Sequence, residues 1–321
     1  MEADFLKVAE TLTGRSVDRL ILCKSGRNSR VYQVVAGIDR YALKSYPSQE
    51  SDPRDRFGTE TRALQFYQAN GNPYTPRLLA LGDSCALMEW IAGSAVTSPG
   101  PADMDQAVDF IARTHAAIGN GGEVFGLASE PCLSGADLYD HICRRLKTLI
   151  DLPELKSYLG SEIIPLLELA RVHADNPAFS VRLAKSKQSL VPADFGFHNA
   201  LKTDAGQMRF LDFEYFGWDD PVRLTADFLL HPSADLGTDN FARFCEGMKS
   251  VFHADQEFEA RLLHLLPLYG IRWALILLNE FIPERWTNRV FAGESASWEE
   301  IKALQLKKSR IAADKVRVQL T

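Results

Sequence analysis

The sequence predicts an α+β protein in two parts. Three observations carry that reading. Residues 1–92 are rich in β-branched and apolar runs, a Gly/Ser/Pro-rich break follows at 91–103, and the remainder is helical except for one acidic hairpin near 189–214. Strands and helices segregated in this way point to α+β rather than to an alternating βαβ order. The expected division is 1–92, with a hinge at its end, and 93–321.

Each element has its own local cause. The stretch ADFLKVAETLTG is amphipathic, and Gly14 stops it as a helix. DRLILCKSG, SRVYQVVAG and RYALKSY follow as three β-like runs with short turns, which fits an antiparallel meander. SDPRDRFGTETRALQFYQANG carries helix signals. Asp52 precedes Pro53, a favoured early-helix residue, Phe57, Leu64 and Tyr67 recur near helical spacing, and Asn70-Gly71 closes the helix. RLLALG and SCALMEWI are two more strands joined at Gly82-Asp83. Beyond the break, DMDQAVDFIARTHAAIGN, SGADLYDHICRRLKTLI and PELKSYLGSEIIPLLELARV read as helices, β content returns at 189–213, and the chain is helical after Pro221.

Bulk properties exclude several function classes. A length of 321 residues favours two domains or lobes, at roughly 100–200 residues each. The net charge of −6 argues against bulk nucleic-acid binding, which shows a basic face. The five cysteines, Cys23, Cys85, Cys132, Cys143 and Cys245, are scattered and form no C-x-x-C pair, so reduced thiols in the cytoplasm are expected. MEADFLKVAE has no apolar signal core. LLHLLPLYGIRWALILLNEF is broken by His264, Pro267, Arg272 and Glu280, so it reads as buried core helices and no membrane partner is expected. No G-x-G-x-x-G follows a strand, and neither a G-x-x-x-x-G-K-[ST] loop nor an H-E-x-x-H helix is present.

The chemistry concentrates in SLVPADFGFHNALKTDAGQMRFLDFE. Asp194 follows an apolar run, a poor place for an idle charge. Asn199 comes five positions later, and the strand MRFL delivers Asp212. Phosphoryl transfer to a hydroxyl needs this set: an Asp to orient the acceptor and take its proton, and amide and carboxylate oxygens for Mg²⁺. Either acid alone fits a plain hairpin with polar ends; the ordered set D-x-x-x-x-N, apolar strand, D-F-E favours chemistry. A cation for the triphosphate is available in Lys44, at the end of RYALK, with Glu60 on the next helix as its fixing acid. A solvated helix face is the competing reading of Glu60. The loop KSGRNSRVY offers Ser25, Gly26 and Ser29 for close backbone approach to phosphates. At the end of the fifth strand the backbone at Glu89–Ile91 suits an adenine edge, with Val31 and Ala42 covering the ring.

From SGRNSRVY through YALK, TETRAL, ALMEWIAG and ADFGFHNAL to FLDFEYFGWDDP, the chain resembles the aminoglycoside phosphotransferase and choline kinase group of the protein-kinase-like fold. The resemblance implies a bilobal architecture with a small antiparallel β-sheet lobe and a larger helical lobe. It implies Asp194 facing the substrate hydroxyl, Asn199 and Asp212 on the metal, and a Lys44–Glu60 pair. It also implies a structural His115. Where the family has His-Gly before the catalytic Asp, this chain has Pro192-Ala193. The expected activity is an ATP- and Mg²⁺-dependent phosphotransferase acting on an alcohol group of a small molecule, with ATP against GTP and the oligomeric state left open. The alternatives are a nucleotide-binding pseudokinase or scaffold, and an antibiotic-inactivating kinase. For the acceptor, the aromatic and polar residues of the last helices, Trp273, Asn279 and Glu280, are the candidates, with a core role as the competing reading for the tryptophan.

Overall fold

The computed structural model describes residues 2–25, 29–47, 54–176, 178–233, 235–286 and 296–320. Its strands are β1 (Arg19–Ser25), β2 (Arg30–Ala36), β3 (Asp39–Ser45), β4 (Leu78–Leu81), β5 (Cys85–Glu89), β6 (Ser94–Ala95), β7 (Ser189–Val191), β8 (Ala200–Lys202), β9 (Met208–Phe210) and β10 (Gly217–Asp219). Its α-helices are α1 (Glu2–Thr13), α2 (Arg56–Ala69), α3 (Pro101–Ala116), α4 (Gly135–Leu149), α5 (Pro153–Tyr158), α6 (Ile164–His173), α7 (Pro221–Leu230), α8 (Gly237–Val251), α9 (Phe258–Leu277) and α10 (Trp298–Leu320). By packing, the chain forms two compact units: Met1–Gly126 with Pro192–Gly217, and Leu127–Val191 with Trp218–Thr321.

In the first unit, β1 to β5 form an antiparallel sheet in the order β1-β2-β3-β5-β4. Gly14, at φ 65°, takes the left-handed turn that ends α1. Ala9 of α1 packs with Tyr32, Val34, Leu43, Cys85 and Leu87, which share one face of the sheet by the period of two. The opposite face carries Val31, Lys44 and Ala86 in one cross-strand row, with Ala42 and Met88 in the next. The lysine thus points away from the α1 core because its neighbours in the strand point toward it.

α2 starts later than the Asp-Pro signal implies. Asp52 and Pro53 lie outside the described residues, and the cap is Asp55, whose carboxylate accepts the Gly58 N–H at 2.9 Å. The helix ends where expected, at Asn70, with Gly71 at φ 63°. The Gly/Ser/Pro break is not wholly a connector either. Inside it, β6 pairs with β8, which pairs with β9. α3 then begins at Pro101, and Asp103 accepts the Gly100 N–H at 2.9 Å. An aromatic core holds the hairpin to these helices. Phe110 of α3 stacks on Phe195 at 5.4 Å and lies 4.8 Å from Phe210, while Tyr67 of α2 lies 5.0 Å from Phe213.

The second unit is mostly helical, with a two-stranded sheet of β7 and β10. α9 runs into a 3₁₀ turn, Leu278–Phe281. The span Phe258–Phe281 is long and apolar enough to cross a membrane, and 78% of its apolar window is buried inside the protein. One of its interruptions is used internally: Arg272 donates to Asp227 at 3.0 Å.

Candidate active site

Lys44 is 5% exposed, and its ammonium makes two short contacts, to Glu60 Oε2 and Asp212 Oδ1, both at 2.6 Å. Glu214 Oε2 stands 4.0 Å away. Glu60 is buried, so the solvated-face reading fails for it. Its Oε2 also accepts the Tyr46 hydroxyl at 2.8 Å, and its Oε1 accepts the Phe213 N–H at 3.3 Å. Burial alone pushes the Lys44 pKa down; Glu60, Asp212 and Glu214 together push it up by more, so it stays an ammonium at any working pH. Breaking one partner out of a buried pair costs about 3–5 kcal/mol. Lys44→Met is therefore expected to lower the melting temperature, read by calorimetry, and to weaken nucleotide binding by about tenfold. An unchanged melting temperature would show that the pair carries no net stability.

The hairpin assembles the other groups. The Leu211 N–H donates to the Asn199 carbonyl at 2.8 Å and Ala200 faces Phe210, so the D-x-x-x-x-N loop and the D-F-E segment adjoin. Asn199 is buried; its Nδ2 donates to the Asp194 carbonyl at 2.9 Å and to Asp194 Oδ2 at 3.1 Å. That orientation leaves the Asn199 amide oxygen for a cation. The Asp194 side chain is 40% exposed. Its Oδ1 is 3.3 Å from His198 Nε2. A Cβ on Gly196 would stand 2.7 Å from His198 Nδ1, so the glycine lets the ring fold back toward Asp194. Asp212 has φ 69°, an uncommon conformation for a non-glycine residue.

Oxygens of Glu60, Asp212 and Glu214 all lie within 4.8 Å of one another. Lys44 bridges Glu60 and one oxygen of Asp212, and Arg56 pairs with Glu214. Asp212 and the Asn199 oxygen remain as hard donors, a small protein ligand set of the kind Mg²⁺ takes. Burial and Asp212 push the Glu214 carboxyl up, against the opposing pull of Lys44 and Arg56.

Of the other expected residues, Val31 and Ala42 share the Lys44 face and are half-buried, and Ser29 is half-buried before β2. Ser25 ends β1, and Gly26 lies outside the described residues. The Glu89 N–H donates to the Arg77 carbonyl at 2.9 Å, and its carboxylate accepts Arg209 Nη2 at 2.8 Å, riveting the end of β5 to β9. Ile91 is buried. Trp273, Asn279 and Glu280 belong to the second unit. The Trp273 Nε1 donates to Asp227 at 3.0 Å, Asn279 is half-buried, and Glu280 is buried with its carbonyl accepting Trp298 Nε1 at 2.7 Å. Sequence reasoning missed Arg56, Tyr46 and His198 as members of the site.

The second unit also pairs a thiol with an imidazole, Cys132 Sγ and His141 Nδ1 at 3.4 Å. Burial raises the Cys132 thiol to about 12 and lowers His141 to about 4. Both are therefore neutral at neutral pH, which is the wrong state for a thiolate nucleophile.

A family model described as the phosphotransferase enzyme family matches residues 19–248. Among solved structures, a spectinomycin phosphotransferase in complex with ADP and spectinomycin aligns at TM-score 0.61 and 10% identity, covering 97% of this chain and 98% of that one. The choline kinase of Streptococcus pneumoniae aligns at TM-score 0.59 and 16% identity over 98% and 99%. A Plasmodium vivax ethanolamine kinase aligns at TM-score 0.55 and 12% identity over 94% and 83%. At such identities the likeness establishes the fold. No curated protein matches the sequence.

Proposed function

The chain belongs to the phosphotransferase enzyme family, and from that premise we propose that it transfers the γ-phosphate of ATP to a hydroxyl of a small molecule. The buried Lys44, bridging Glu60 and Asp212 beside an accessible Asp194, is the observation that carries this reading. Asp212 and Asn199 would hold Mg²⁺, which would supply positive charge against the triphosphate. Glu60 holds the Lys44 ammonium for phosphate oxygens. Val31 and Ala42, on the same face, suit the adenine ring, and the Glu89–Ile91 backbone suits its edge. Asp194 takes the proton from the acceptor hydroxyl as the oxygen–phosphorus bond forms, and ADP leaves. Solved neighbours that hold ADP or AMP support nucleotide binding by this fold. In this reading residues 1–92 serve the nucleotide, 93–321 supply the catalytic hairpin and the acceptor site, and the enzyme works in the cytoplasm.

The test is ATP turnover by the purified protein across a panel of small alcohols, with Mg²⁺ and with chelator. Mg²⁺-dependent ADP release that needs one class of alcohol is expected. Tight Mg·ATP binding with no turnover on any alcohol would favour the scaffold instead. Acceptor selectivity is expected to come from the helices after Pro221. Asn279→Ala and Glu280→Gln should then raise the acceptor KM and leave the ATP KM in place. Should both variants leave acceptor kinetics untouched, the selecting residues lie elsewhere.

A further inference from the structure

α2 begins with a residue that elementary electrostatics disfavours. Arg56 is its first residue, where the helix dipole favours an acid over a guanidinium. It is also 2% exposed, and a buried charge is costly unless paired and hydrogen-bonded. Both of its described polar partners lie just beyond Asp212. Nη1 donates to Glu214 Oε1 and, at 2.6 Å, to the Tyr215 hydroxyl, and the guanidinium carbon lies 5.0 Å from the Tyr215 ring centre. One turn along the same helix face, Glu60 accepts the Phe213 N–H. Two residues of α2 thus grip three consecutive residues after the metal ligand. On the other side of Asp212, the Leu211 N–H is tied to the Asn199 carbonyl. Between these anchors Asp212 keeps φ 69°, a conformation that persists in a non-glycine residue only where its surroundings over-determine it.

We propose that Arg56 is a positioning residue for the metal ligand: through Glu214 and Tyr215 it holds Asp212 in the left-handed conformation that aims its carboxylate at the Lys44 ammonium and the phosphate site. The proposal rests on the phosphotransferase reading above. A purely structural Arg56 would lower stability and leave the metal's contribution to nucleotide binding alone, so that contribution is the quantity to measure. The experiment is calorimetric titration of ADP into the full chain, wild type, Arg56→Met and Arg56→Lys, each with Mg²⁺ and with chelator. In Arg56→Met the ratio of the two dissociation constants is expected to shrink by about tenfold. Metal-free ADP affinity is expected to stay within about twofold of wild type. Arg56→Lys keeps the charge but loses the fork, and an intermediate loss of about threefold is expected. A metal ratio equal to wild type in both variants, whatever their melting temperatures, overturns the proposal and spares the functional reading. If Arg56→Met does not fold, the ratio in Arg56→Lys decides. A wild type whose ADP affinity ignores Mg²⁺ overturns both.

Discussion

Asp194→Asn is expected to bind Mg·ATP as the wild type does and to transfer phosphate about 10²–10⁴-fold more slowly, the range for losing a positioned acid–base group. The separation follows from the contacts. In the proposed reading Lys44 and Asp212 serve the nucleotide, while the Asp194 carboxylate is held by Asn199 Nδ2 and His198 Nε2 rather than by the lysine. Asparagine preserves the shape of the side chain but cannot take the acceptor's proton. Single-turnover transfer to an acceptor from the alcohol panel, compared with calorimetric ATP affinity, reads both halves of the expectation. Undiminished transfer in the variant would remove Asp194 from the chemistry.

Asp212→Ala is expected to abolish the Mg²⁺-dependent part of nucleotide binding. The variant removes the one carboxylate of the cluster that is not buried, since the Asp212 side chain is 31% exposed while Glu60 and Glu214 are buried. It also takes one of two close anions from Lys44 and places alanine at a positive φ, which asparagine tolerates better. Asp212→Asn is therefore the control: it is expected to fold like wild type and still lose most of the metal's contribution, because an amide oxygen is a weaker Mg²⁺ ligand than a carboxylate. Titrations with and without Mg²⁺ check this. Equal metal-dependent affinity in wild type and both variants would end the assignment of Asp212 to the metal.

Much of this was legible in the sequence, and the reasons are local. Period-two runs and glycine turns placed β1 to β3, and the apolar run ending in Lys44 singled that lysine out. The D-x-x-x-x-N spacing placed Asp194 and Asn199 in hydrogen-bond reach because the loop between them is short. What stayed hidden depends on distant pairing. Arg56 meets Glu214 across 158 positions, and nothing around either residue announces the other. β6 looked like linker because its two residues become a strand only against β8. The start of α2 falls later than Asp52-Pro53 implies because Asp55 caps it by accepting the Gly58 N–H. The left-handed turn at Asp212 is weakly marked in the sequence, since aspartate enters that region only occasionally and glycine is its usual marker.

The division of the chain has a consequence for how the protein is made. The first unit is discontinuous: residues 192–217 return to it only after 127–191 have gone into the second. β6, the aromatic core around Phe110 and the buried Lys44–Glu60 pair all wait for those late residues, which bring β8, Phe195 and Asp212. Contacts between residues so far apart in sequence are slow to form, because chain closure precedes any gain from pairing. On the ribosome, at about 5–20 residues per second, the nascent sheet would spend several seconds with Lys44 lacking Asp212 and Glu60 lacking the Phe213 N–H. A gene fragment ending near residue 126 should therefore yield aggregating protein rather than a free-standing nucleotide module, and synonymous changes that slow or hasten translation between 127 and 191 should alter the soluble yield.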